Sequence, residues 1–308
     1  MKLFLTGATG YVGSVLLARL LAEGHDIEAL VRPAPPRVLP VHPRLSWLQA
    51  DLRDRARVAE AARRADATIH TAAEHAGAQR EADDAATDGL LQGLNGSGKP
   101  LISTSATVVY GDTGLSPRGE AGEIAAPHPL RVWRIANDER IAGGGNGIRG
   151  CVIRPPNIFG AGGGPIAMRI AAAAKAGFAQ YVGEGETHWS TVHVFDLTDL
   201  FLAVLSDERA HGIYNAASDE VLSRRELAEG IALTLGPAAT ARAITLEQGR
   251  AIWGFLADLG MINQVISAAR AREELRWSPR RRTLMSYLRE KDYGNETVAD
   301  AGRAAARG

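Results

Sequence analysis

The chain has 308 residues, 45% of them hydrophobic, with 35 basic residues against 35 acidic ones. That length can bury a sizeable core, and the absence of net charge or of any block of like charges leaves no case for nucleic acid or a membrane surface. A single cysteine, Cys151, excludes an internal disulfide framework, and no run approaches the roughly 18 apolar residues of a membrane span, so a cytoplasmic protein is expected.

In chain order, Leu3-Phe4-Leu5 reads as a first strand, too short and too soon cut by glycine to be a signal peptide. A helix from about Tyr11 puts Val12, Leu16 and Leu20 on one face and stops at Gly24. Further strands are expected at 27–31 (closed by Arg32-Pro33), 45–49, 67–70, 101–104 and 151–153, the last stopped by Pro155-Pro156. Cys151 falls in that last strand and reads as an inert core thiol. Helical spacing fills the intervals, notably 53–64 and 131–142. This alternation predicts an α/β fold, a doubly wound parallel sheet. After Phe159 the rhythm loosens into a glycine-rich stretch (160–164), an alanine-rich helix (166–176), short strands at 191–195 and 213–215, and mostly helix from Ser223. The expected division is a Rossmann domain over 1–159 to which 190–215 returns, a smaller, mostly helical substrate lobe over 160–189 and 216–294, and a frayed tail over 295–308. No internal repeat is present.

Thr6-Gly7-Ala8-Thr9-Gly10-Tyr11-Val12-Gly13 joins the first strand to the first helix. Gly7 permits a tight turn, Gly10 lets the backbone approach a pyrophosphate, and Gly13 lets helix pack on strand, while the helix N-terminus offers free N–H groups to the anion. A tight turn without a ligand is the plain alternative, but the order strand, loop, helix, strand favours a dinucleotide. An NAD site usually places a carboxylate about 20 residues on, to hold the ribose hydroxyls. Arg32 stands there instead, and a guanidinium can clamp a 2′-phosphate, so NADP(H) is expected; a solvated surface arginine is the other reading.

On these and further motifs the chain resembles a short-chain dehydrogenase/reductase of the extended or atypical group, the NAD-dependent epimerase/dehydratase type. The glycine loop has that group's form. Asp51-Leu52 resembles its adenine-contacting pair, and Thr71-Ala72-Ala73 the stretch that lines the cofactor. The run from Ser103 through Ser105 and Thr107 to Gly111 resembles its active-site segment. Arg154-Pro155-Pro156-Asn157-Ile158-Phe159-Gly160 resembles its loop over the nicotinamide, and Val192-His193-Val194-Phe195-Asp196 a motif of return from the substrate lobe. The resemblance implies cofactor contacts at Gly7, Thr9, Gly10, Tyr11, Val12, Gly13, Arg32, Asp51, Leu52, Thr71, Ala72, Ala73, Ser103, Pro155 and Asn157.

One part departs from the pattern. The group carries a tyrosine followed four residues later by a lysine, the proton donor and its partner. With Trp133 in the tyrosine's place, Asn137 takes the lysine's; aligned on Glu139, the places become Arg131 and Ile135. Tyr287 and Lys291 have the spacing but lie near the C-terminus, and are read as coincidence. Ser105 and Thr107 remain as catalytic candidates, able to donate to a developing oxyanion, with water or a hydroxyl of the substrate as proton source. A general acid contributes typically 10²–10⁴-fold, less than orientation of a hydride donor can, so ketone reduction survives its loss.

The expected activity is therefore an NADPH-dependent carbonyl reductase. The lobe lacks an evident cation cluster for a nucleotide-sugar diphosphate, which favours an apolar ketone, and the type is similar to ketoreductases of aromatic polyketide (angucycline) pathways. A non-catalytic NADP(H) sensor stays open, as does an epimerase or dehydratase with a displaced base, which needs a titratable group near Ser105. Monomer and homodimer both stay open. His188-Trp189 is a candidate pocket contact, and Trp133 a candidate filler or stacking wall. Trp253 and Phe255 are candidate lid residues. His193 and Asp196 are expected at a strand-to-helix junction, with Asp196 as helix cap. No cluster has metal spacing, and His70, His75 and His128 are scattered.

Overall fold

Strands buried on both faces, such as Leu3-Phe4-Leu5 with every side chain inaccessible, build the centre of the molecule, as a parallel sheet covered by helices on both sides requires. The computed structural model describes residues 1–33, 38–74, 78–122, 124, 132–145, 147–254, 256–293 and 295–305. In chain order it runs β1 (Lys2–Thr6), α1 (Tyr11–Ala22), β2 (Asp26–Val31), β3 (Leu45–Gln49), α2 (Arg55–Arg64), β4 (Ala67–His70), α3 (Gln79–Leu94) and β5 (Pro100–Thr104). After a 3₁₀ turn (Thr107–Tyr110) follow α4 (Val132–Ala142), β6 (Arg149–Arg154), β7 (Asn157–Phe159), α5 (Gly164–Ala176), β8 (Ala179–Val182), β9 (His188–His193) and α6 (Val194–Ser206). The remainder is β10 (Gly212–Asn215), β11 (Val221–Ser223), α7 (Arg224–Leu235), β12 (Ala241–Ile244), α8 (Leu246–Trp253), α9 (Leu256–Leu259), α10 (Ala269–Leu275), α11 (Leu284–Glu290) and α12 (Val298–Ala305).

The main sheet has the order β10-β6-β5-β4-β1-β2-β3 and every neighbouring pair is parallel. One face packs on α1 and α6 through Leu5, Leu16, Leu20, Leu200 and Phe201; the other packs on α2, α3 and α4 through Phe4, Val58, Leu90 and Ile141. This is the doubly wound Rossmann arrangement, in which chain reversal at β1 opens a crevice beyond the strand C-termini. A separate core gathers Phe159, Ile166, Tyr181, Leu227, Ile231 and Leu288 from β7, α5, β8, α7 and α11. Cys151 lies inside the main core, its thiol pushed up to about 11 by burial, as an inert residue should be.

Two boundaries differ from expectation. The strand expected over 191–195 ends at His193, because the His193 Nδ1 accepts the Phe195 N–H at 3.1 Å and caps α6. Asp196 is therefore not the cap; its carboxylate accepts the Arg280 and Arg281 N–H groups at 2.9 and 3.1 Å. Of the tail expected to fray over 295–308, residues 298–305 form α12 with Ala301 buried against Val15, Val194 and Phe195, and 306–308 lie outside the described residues.

Candidate active site

The glycine loop is fixed by close approach rather than by side chains. Gly7 has φ +79°, and a Cβ there would lie 2.5 Å from the Ala72 nitrogen. A Cβ on Gly13 would lie 2.0 Å from the Gly7 carbonyl oxygen. The turn is closed by Gly10 N–H donating to Gly7 O at 2.8 Å, and Gly10 precedes α1 without any side-chain cap. The first amides of a 12-residue helix are thus left to an outside acceptor, which is what a pyrophosphate needs. Tyr11 and Val12 open that helix, and Thr9 and Gly10 are exposed at the loop tip. The Tyr11 hydroxyl donates to Gly160 O at 2.8 Å, which ties the loop to the glycine-rich stretch after β7.

Beside the loop lies a cavity of about 180 Å³. Its walls include Leu52, Thr71, Ala72, Ala73 and Ser105 from the expected set, together with Glu74, Asp83, Trp133, Arg134 and Leu259. Thr71 is oriented by its hydroxyl, which donates to Thr6 O at 2.9 Å. The other expected residues fall outside these walls. Asp51 accepts the Arg53 N–H at 2.9 Å, and Ser103 is buried within β5. Thr107 is buried and its N–H donates to Pro155 O at 3.1 Å, while Asn157 opens β7. Arg32, just past β2, is largely exposed and its Nη1 donates to Glu74 Oε2 at 2.8 Å.

Ser105 is not a free hydroxyl. Its Oγ donates to Asp138 Oδ2 at 2.7 Å, and the same oxygen accepts Arg154 Nε at 2.9 Å and Nη2 at 2.8 Å. Ser105, Asp138 and Arg154 are all buried, and the Arg154 guanidinium lies 4.9 Å from the centre of the Tyr110 ring. Burial pushes the Asp138 carboxyl up, against the opposing pull of Arg154, Arg134 and the Ser105 hydrogen bond. A titratable group beside Ser105, which no motif reveals, is therefore present on α4. Its sequence trace is slight: Arg134 and Asp138 stand four apart on one helix face, and Arg154 ends a strand that is otherwise apolar.

The helix that carries the tyrosine and lysine in related enzymes holds neither in function. Trp133 lines the cavity, but Asn137 turns away, its Nδ2 donating to Asp83 at 2.9 Å and Asp84 at 2.7 Å. In the other register Ile135 is apolar, and Arg131 lies outside the described residues. Arg134 reaches the site instead, donating from Nη2 to Thr104 O at 2.5 Å and pairing with Asp83 at 3.1 Å. His70 closes the layer below. Its Nδ1 meets the Thr6 hydroxyl at 2.7 Å, its Nε2 lies 4.0 Å from Asp83, and burial lowers its pKa to about 4, so the ring is neutral.

Tyr287 is packed against His193, and its hydroxyl donates to Glu296 at 2.6 Å. That contact leaves the Tyr287 and Lys291 spacing without a catalytic part. Trp189 lies under the Arg224 guanidinium, 3.9 Å from its ring centre, and does not line the cavity; His188 does not line it either. Trp253 stacks with Arg169 at 5.0 Å. His75, His128 and Phe255 lie outside the described residues. Among the described residues no cluster of His, Cys, Asp or Glu can hold a metal ion, and no helix is long and apolar enough to cross a membrane.

The fold has relatives. An uncharacterized protein of Schizosaccharomyces pombe is 30% identical over 305 residues, covering 95% of this chain and all of the relative. A 2-alkyl-3-oxoalkanoate reductase of Stenotrophomonas maltophilia is 25% identical over 269 residues, 80% of this chain and 79% of that one. Among solved structures, the dTDP-glucose 4,6-dehydratase DesIV of Streptomyces venezuelae, with NAD bound, superposes with a TM-score of 0.78 over 94% of this chain and 95% of its own, at 21% identity. The model of the NAD dependent epimerase/dehydratase family matches residues 3–217, and the chain belongs to that family.

Proposed function

We propose that the protein is an NADP(H)-dependent carbonyl reductase that works without the family tyrosine, with Asp138 and Ser105 moving the proton. The observation that carries this reading is the 2.7 Å hydrogen bond from a cavity-lining serine to a buried carboxyl. The free amides of α1 and the Thr71-Ala72-Ala73 wall would hold the dinucleotide, and Arg32 would meet a 2′-phosphate. A bound reduced dinucleotide supplies hydride to a carbonyl carbon. Asp138, which at rest accepts from the Ser105 hydroxyl and from Arg154, would first take a proton from solvent; as the carbonyl becomes an alkoxide, the Ser105 Oγ–H bond breaks towards the substrate oxygen while Ser105 takes that proton. Asp138 thereby returns to the carboxylate that both Arg154 hydrogen bonds stabilise. Thr107, buried and away from the cavity, supports the backbone of the segment.

Run backwards, the same pair accepts a proton from an alcohol. That favours, as a second reading, the displaced base an epimerase or dehydratase would need. The relative named as a reductase of 3-oxoalkanoates supports the ketone direction, and the indole of Trp133 on the cavity wall suits a flat substrate such as an aromatic polyketide.

The experiment is titration of NADPH and NADH with wild type and Arg32→Ala, then nicotinamide absorbance decay with a panel of aromatic ketones. NADPH preference removed by Arg32→Ala, with ketone-dependent oxidation that falls in Ser105→Ala, is the expected result. Equal binding of both dinucleotides overturns the part given to Arg32. Tight binding without turnover of any ketone points to a sensor.

A further inference from the structure

Behind Leu259 two arginines lie near each other with no carboxylate partner among the described residues. Arg224, the first residue of α7, is 5% exposed, and its Nε has no hydrogen-bond partner. Its Nη2 donates to Leu259 O at 3.4 Å, and Leu259 lines the cavity. Arg169, on α5, buries an Nη1 that also lacks a partner. Among the described residues neither forms an ion pair, and the charge that acts on Arg224 is that of Arg169. Glu226, two residues on, spends its carboxylate on the Ser223 N–H at 2.8 Å in a capping box.

An unpaired buried guanidinium is costly, because desolvation is not offset by an opposite charge. Burial lowers Arg169 to about 10, and burial together with Arg169 pushes Arg224 below its ordinary value. Buried Arg224, with half-buried Arg169 beside it, marks a place where a charge is missing. The indoles of Trp253 and Trp189 cover the guanidinium faces at 5.0 and 3.9 Å, which leaves the in-plane N–H groups for a ligand. Trp253 Nε1 and His188 Nδ1 are likewise buried without partners.

We propose that Arg169, Arg224, Trp253 and His188 form an oxyanion pocket that takes a carboxylate or phosphate group of the substrate. In-plane guanidinium forks match both groups, and the Trp253 N–H adds a neutral donor. A bound oxyanion supplies what the described residues do not: an acceptor for two charges and three donors. It also revises the expectation of a lobe without cations, and with it the purely apolar ketone. That the ligand is the substrate rests on the reductase reading; that an oxyanion binds here does not.

The test uses sodium benzoate and inorganic phosphate as probes, each titrated against chloride at constant ionic strength, with tryptophan fluorescence and thermal unfolding as readouts. In wild type at least one probe is expected to quench fluorescence saturably and raise Tm. In Arg224→Met and Arg169→Met the apparent affinity is expected to fall about tenfold or more, while NADPH titrates as in wild type. Benzoate alone identifies a carboxylate, phosphate alone a phosphate, and a response to both a pocket open to either. Without probe, Arg224→Met is expected to have a higher Tm than wild type, since it removes an uncompensated charge. No saturable response to either probe, or an equal response in the variants, overturns the proposal, as does a lower Tm in Arg224→Met. If the anion response is intact but wild type binds no NADPH, the reductase reading fails and the pocket stands.

Discussion

The glycine cradle at β1 and the polar layer under α4 face the same crevice, yet they are made differently. The cradle works by absence: two missing Cβ atoms let Gly7 and Gly13 close on neighbouring backbone. The α4 side works by presence, with Asp138, Arg154, Asp83 and His70 buried and Arg134 half-buried in one connected set of charges and hydrogen bonds. Shape errors on the first side should cost binding. Charge errors on the second should cost stability first, and proton transfer with it. The largest expected effect follows from that contrast. Asp138→Asn keeps the shape but leaves the Arg154 guanidinium buried without a countercharge, which costs about 3–5 kcal/mol. Denaturant unfolding should show that loss, and the double variant Asp138→Asn with Arg154→Met should recover part of it. If Asp138→Asn unfolds like wild type, the two charges do not depend on each other.

His70 gives the next effect, and its sign is fixed by burial. The free imidazole takes a proton near 6.5, whereas the buried one does so only near 4. Between those values the unfolded chain binds more protons than the folded one, so stability present at pH 7 is lost as pH falls through the window. The loss reaches about 3 kcal/mol by pH 4. Unfolding free energies at pH 7 and 4.5 should differ more in wild type than in His70→Gln. Equal differences in the two would show that His70 is not the group responsible.

The same contrast explains what the sequence could and could not disclose. The cradle was legible because its requirement is local: a glycine is needed where backbone touches backbone, and strand, loop and helix are contiguous. The sheet was legible for the same reason, as unbroken apolar runs such as Leu3-Phe4-Leu5 and Cys151-Val152-Ile153 mark strands buried on both faces. Asp138 was not legible, since its meaning comes from Ser105, 33 residues before it, and Arg154, 16 after it. Arg169 and Arg224 were hidden likewise, 55 positions apart in a chain where arginine is the ordinary cation. The helix over 298–305 is not legible, because small residues look loose alone. Against the flat side of α1 they permit the close packing seen at Ala301.

On the cradle side, Gly13→Ala sets a methyl group 2.0 Å from a backbone oxygen that has no room to yield. Overpacking of this kind costs about 1–3 kcal/mol. The displaced loop should also lose dinucleotide binding while the Asp138 set keeps its pH behaviour. Calorimetric titration with NADPH, beside the unfolding measurement, separates the two. Retained affinity with lost stability would mean that the loop's amides do not hold the ligand.

The smallest expected effect lies at the rim, where Glu74 occupies the guanidinium proposed to meet a 2′-phosphate. The pair is open on the arginine side, with the Arg32 side chain 58% exposed, so its strength is modest, at most about 1 kcal/mol. A 2′-phosphate must displace the Glu74 carboxylate or share Arg32 with it, and in either case it meets a negative charge beside its partner. Glu74→Gln removes that charge and leaves an amide oxygen that can still accept from Arg32. NADPH should then bind a few-fold more tightly, NADH should be unchanged, and added salt should shrink the difference. If both dinucleotides gain equally, Glu74 acts on the shared pyrophosphate or ribose rather than on the 2′-phosphate, and Arg32 loses its claim to select between them.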